Sequence, residues 1–200
     1  MAQASEVARV PDRVREGWHH VETVEETVVR LLGVHVEART ELYEDRTLRE
    51  RVEEATGIDR LWRFYVATRV SFADRDPGES GLLTRLVVSR VDDAIRETMT
   101  DNGFEDVRRR STRTTSLGGR EVELLTYGAV IPADGRRVPM EGLVAVWADA
   151  GYHVAGGGYP AISLADVLSV RDDGLDREHA GYRKELRSLL VEAATPGERS

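Results

Sequence analysis

LGGREVELLTYGAVIPADGRRVPMEGLVAVWADAGYHVAGGGYP, residues 117–160, is the stretch that decides the fold. Three two-residue turn signals divide it: Gly118-Gly119, Asp134-Gly135 and Ala150-Gly151. Such pairs suit the tight turns that join antiparallel neighbours, so the chain from Phe104 to Tyr159 is predicted to fold as a four-strand meander. Leu143 to Trp147 is an unbroken apolar run, as a strand buried on both faces requires.

The pattern extends upstream. Trp62, Phe64, Val66, Val70 and Phe72 share one face of a central strand whose other face carries Arg63, Tyr65 and Arg69. Val34, Val36, Ala38, Thr40 and Leu42 alternate with His35, Glu37, Arg39, Glu41 and Tyr43, which predicts a strand with one wet face. Val21 to Leu32 is its predicted hairpin partner around Gly33. Helical spacing takes over elsewhere. Thr47 and Glu50 form a capping-box pattern ahead of Gly57, predicting a helix over 46–56. After Ser80, Leu83, Leu86, Val87, Val91, Ala94, Ile95 and Met99 recur on one face up to Asn102-Gly103. Tyr182, Leu186, Leu189, Leu190 and Ala193 mark a last helix over 176–194. Segregated strands and helices predict an α+β domain, an antiparallel sheet packed with about three α-helices. Its predicted limits are 17–194, with a mobile arm over 1–16 and a frayed end over 195–200.

Composition limits the function. The chain holds 28 Lys plus Arg, of which Lys184 is the one lysine, against 36 Asp plus Glu, for a net charge of −8. Asn102 and Gln3 are its only side-chain amides. An acidic surface that avoids lysine and amides suits a salt-rich cytoplasm, where carboxylates hold water and cations. The same charge opposes nucleic acid and anionic lipid. There is no cysteine, hence no disulfide framework or thiol chemistry. No apolar run reaches the ~18 residues of a membrane span, and Met1 to Val10 lacks a signal-like apolar segment, so a cytoplasmic protein is expected.

Candidate chemistry is sparse. Gly156-Gly157-Gly158-Tyr159-Pro160 is followed by neither a helix N-terminus nor a lysine, so it reads as a strand passing close beneath another element, with a ligand rim as the alternative. His19, His20, His35 and His153 match no zinc spacing, and no metal site or cofactor is assigned. Arg108, Arg109, Arg110 and Arg113 alternate along a strand opposite Glu121 and Glu123, which predicts cross-strand ion pairs. No nucleophile motif is present, and no catalytic residue is assigned. The expected function is that of a non-catalytic binding or accessory domain. Its predicted contact surface comprises Arg63, Tyr65 and Tyr159 with His153, Gly156, Gly157 and Gly158, and it would meet a protein or a small anionic ligand. Two other readings stand: an enzyme with a pocket near the glycine run and His153 as general base, and a homodimer formed through a sheet edge or helix face.

Gly17-Trp18, Tyr43-Glu44-Asp45, Trp62-Arg63-Phe64, Asn102-Gly103-Phe104 and Gly156 to Pro160 together resemble an uncharacterised haloarchaeal protein family. The resemblance implies a domain of unknown function from salt-loving archaea. The element order is also similar to the PsbP-like fold, which implies binding or assembly rather than catalysis.

Overall fold

The computed structural model of the chain describes residues 9–31, 34–72 and 81–196, and the side chains of these apart from 27–31, 34 and 35. It is an α+β fold built on one seven-stranded antiparallel sheet. The elements run α1 (Asp12–Gly17), β1 (His19–Leu31), β2 (Val34–Glu44), α2 (Arg46–Thr56), β3 (Phe64–Phe72), α3 (Gly81–Asp101), β4 (Glu105–Leu117), β5 (Arg120–Ala133), β6 (Arg136–Ala148), β7 (Tyr152–Pro160), α4 (Leu164–Leu168) and α5 (His179–Ala194).

The meander forms where the turn signals place it. Gly118 and Gly119 have φ of 57° and 81°, and Asp134 and Gly135 have 49° and 73°. Both central residues are left-handed in each turn, the geometry that matches the twist of adjoining strands. The sheet order is β1-β2-β3-β7-β6-β5-β4, so the last strand returns to the middle and pairs with β3, from Phe64 opposite Gly158 to Val70 opposite Tyr152. This pairing fuses the N-terminal strands with the meander.

Helix ends follow local chemistry. Asp45, rather than Thr47, caps α2 by accepting a hydrogen bond from the Leu48 amide at 3.1 Å. It does so because β2 ends one residue earlier, leaving Asp45 with the non-helical backbone a cap requires. Gly57 closes the helix in the left-handed conformation at φ 73°. Two short helices, α1 and α4, were not anticipated. Residues 12–16, expected to lie in a mobile arm, belong to α1, and Val10 and Val14 are buried in the main core. Gly33 and Ser80 lie outside the described residues.

The two faces of the sheet are covered unequally. On one, α5 with α1, α2 and α4 closes a core holding Trp62, Tyr65, Leu124, Leu143, Tyr159 and Leu189. The Arg63–Tyr65–Arg69 side of β3, which holds part of the predicted contact surface, therefore faces helices, and Tyr65 has no exposed surface. On the other face α3 is the one helix among the described residues. Its packing gathers Val88, Leu125, Tyr127, Val144, Val146, Tyr152 and Val154.

The outer strands are polar. On β4, Thr114 rather than an arginine stands opposite Glu123, and donates to it at 2.7 Å. The two-residue Gly118-Gly119 turn sets this register, which places Ser116 opposite Glu121 and Arg113 opposite Leu124. The predicted cross-strand pairs with Glu121 and Glu123 do not form. Arg109 instead reaches Asp92 of α3 at 3.8 Å, and Arg108, Arg110 and Arg113 have no ion pair among the described residues. Exposed arginines on an edge strand discourage pairing with another sheet.

The glycine run earns its composition at the sheet's centre. A Cβ at Gly157 would collide with the Phe64 carbonyl oxygen and come within 3.1 Å of Leu186 Cδ1 on α5. The missing side chain lets α5 settle on β7. Gly157→Ala is expected to cost about 1–3 kcal/mol as overpacking, read as an earlier urea midpoint at unchanged slope. A variant as stable as the parent would refute this packing account.

Candidate functional site

The sparse cover on the α3 face leaves a groove of about 640 Å³ between that helix and the sheet. Its floor is made by alternate residues of two strands, Val36, Ala38, Thr40 and Leu42 from β2 and Phe64, Val66, Thr68, Val70 and Phe72 from β3. One wall is α3, through Leu83, Leu86, Val87, Val91, Ala94 and Ile95. Beneath its C-terminal end lie Met99, Phe104, Ala129 and Met140. The far lip is β1, with Val24 between Glu22 and Glu26.

The position of α3 explains the space. Its deepest residues are Val88 and Asp92, while the rest of its apolar stripe is only partly buried. Asp92 accepts a hydrogen bond from the Tyr127 hydroxyl at 2.8 Å, and pairs with Arg96 at 3.2 Å and Arg109 at 3.8 Å. Burial, reinforced by the Asp92 carboxylate, pushes the Tyr127 phenol well above its ordinary pKa, so it stays a donor. These contacts tie α3 to the β4–β5 side of the sheet. The floor over β2 and β3 is left half-covered, and Val24 is 36% exposed.

The sequence-predicted surface sits elsewhere. Tyr65 and Tyr159 are buried on the opposite face. Arg63 is 6% exposed and charge-paired: its guanidinium meets Asp45 at 2.9 Å and Glu185 at 2.7 Å, and lies over Trp18 at 4.5 Å and Tyr182 at 5.1 Å. An anionic ligand cannot use a cation that α5 covers and two carboxylates neutralise. Tyr159 donates to Glu141, which also takes Arg183 at 3.2 Å and His179 at 3.3 Å. Gly157 and Gly158 do line the groove, beneath its lower end.

His153 is brought to neither the groove nor the Arg63 cluster. It is 3% exposed, stacks on Trp147 with centroids 5.4 Å apart, and its Nε2 lies 2.6 Å from Arg69 Nη1. His20 bonds Thr23 at 3.0 Å, and the side chain of His35 lies outside the described residues. Among the described residues no three His, Asp or Glu side chains group as a metal site. The groove went unseen because β2, β3 and α3 each read as ordinary core. The two mid-strand threonines, Thr40 and Thr68, were the available signal.

A match to the family described as "Domain of unknown function (DUF6517)" spans residues 7–193. The chain belongs to this DUF6517 family. No curated protein and no solved structure matches it. No described helix is long and apolar enough to cross a membrane.

Burial pushes the His153 imidazole down from its ordinary 6.5 to about 4, and the adjacent Arg69 charge acts in the same direction. An unfolded chain takes up this proton near pH 6.5, while the folded chain refuses it until about pH 4. His153 therefore contributes stability above pH 6.5 that is lost as the pH falls towards 4. His153→Phe keeps a ring against Trp147, and its thermal stability is expected to fall less steeply than the parent's across that window. Parallel curves would show that His153 is not held neutral.

Proposed function

We propose that this DUF6517 protein is a non-catalytic binding protein, and that its ligand is a small molecule with a hydrocarbon body held between α3 and the sheet. The supporting observation is the groove itself, an apolar concavity within the roughly 300–1,000 Å³ range of small-molecule sites. Its walls belong to one helix and one sheet, so it is formed before the ligand arrives, and each CH₂ transferred into it gains about 0.8 kcal/mol. The arginine-rich acidic composition supports a salt-rich cytoplasm as the setting.

Binding of Nile red, an uncharged apolar dye, tests this reading. The parent chain is expected to bind it with a blue-shifted emission, and Ala38→Trp, which fills the floor, to weaken binding at least tenfold while the circular dichroism spectrum is retained. Dye binding that ignores Ala38→Trp would overturn the proposal. So would a dimer, seen by sedimentation in molar KCl, that Ala38→Trp dissociates, because a second copy would then be the occupant.

A further inference from the structure

The groove's floor has one polar feature. Of the side chains that β2, β3 and β7 bring to it, only Thr40 and Thr68 are polar. They stand directly opposite each other in register, with their hydroxyl oxygens 2.9 Å apart. Val24 and Val154 flank the pair across the sheet, and Ala38, Val70, Leu42 and Val66 flank it along the strands. Two hydroxyls carry two hydrogens, and the bond between them uses one. The second O–H has no partner among the described residues. A cross-strand threonine pair also steadies a sheet, but that role leaves the second hydrogen unspent in the middle of an apolar surface.

The lips add a charge constraint. Among the described residues, Glu141, which Arg183 and His179 engage, is joined along the groove by five more charged groups: Glu22 and Glu26 on β1 and Glu97 and Asp101 on α3, against the single cation Arg90. None of the five forms an ion pair among the described residues. A carboxylate, sulfate or phosphate head would enter against four acids and leave water to do so.

We infer that the ligand is an uncharged oxygenated hydrocarbon, whose ketone, ester, ether or hydroxyl oxygen accepts the free hydrogen of the Thr40–Thr68 pair. This rests on the groove being the ligand site. It replaces the anionic ligand expected from Arg63.

The test uses the full chain and three probes of equal length, undecane, 2-undecanone and undecanoate, each measured by displacement of Nile red. Thr40→Val with Thr68→Val keeps the shape of the floor and removes both hydroxyls. It is expected to weaken 2-undecanone about fivefold, the worth of one neutral hydrogen bond, and to leave undecane unchanged or tighter. Thr40→Ser with Thr68→Ser restores the hydroxyls and is expected to restore the ketone. Undecanoate is expected to bind more weakly than the ketone, and to gain when Glu22→Gln, Glu97→Gln and Asp101→Asn are combined. Equal losses for ketone and alkane in the valine variant, or no loss for either, would overturn the inference, as would undecanoate binding tighter than the ketone. If Nile red itself does not bind the parent chain, the groove reading falls first, and that result is distinct from the others.

Discussion

The pairing of β3 with β7 is the contact on which the other features depend. It joins the N-terminal strands to the meander, and it runs through three consecutive glycines opposite Phe64, Tyr65 and Val66. Side chains there have nowhere to go. A Cβ at Gly156 would meet Val144 Cγ2 at 2.7 Å, one at Gly158 would meet the Phe64 ring at 2.7 Å, and Gly157 lies under Leu186. Bare backbone at the centre lets α5 pack tightly on one face and keeps the other face shallow enough to remain open.

That arrangement divides the sheet into a structural side and a receptive side. Beneath α5, Arg63 holds Asp45, Glu185, Trp18 and Tyr182 together, and Leu186, Leu189 and Leu190 are buried. Burial alone would raise the Glu185 pKa, but its hydrogen bonds and charge contacts with Arg63 and Arg177 outweigh burial and hold it below the ordinary value. On the other side, Asp92 and Tyr127 pin α3 to the meander half. One helix cannot cover a sheet of this width, since neighbouring strands are spaced about 4.8 Å apart and a helix spans about 10–12 Å. The uncovered apolar strands become the groove.

The residues that looked chemical along the chain are largely those that the core consumed. Arg63, Tyr65, Tyr159 and His153 drew attention as charged, aromatic or titratable groups on strands, and all four are buried on the α5 face. Strand alternation divides residues between two faces but does not say which face the helices take. The residues that line the groove drew none, because Ala38, Val66 and Val91 differ in no local way from core positions. Thr40 and Thr68 lie 28 positions apart and acquire meaning only when β2 and β3 align in register.

By itself, the sequence determined the meander and its turns, the antiparallel α+β class and the long helices, because turn residues and hydrophobic period act over a few neighbours. It also determined the net charge of −8. Only the tertiary structure decided that β7 lies against β3, that α5 closes the side carrying Arg63, and that α3 stops short of covering β2. These follow from packing between segments distant in the chain, where the volume of three absent side chains and one buried Asp–Tyr hydrogen bond settle which surface is filled and which stays open.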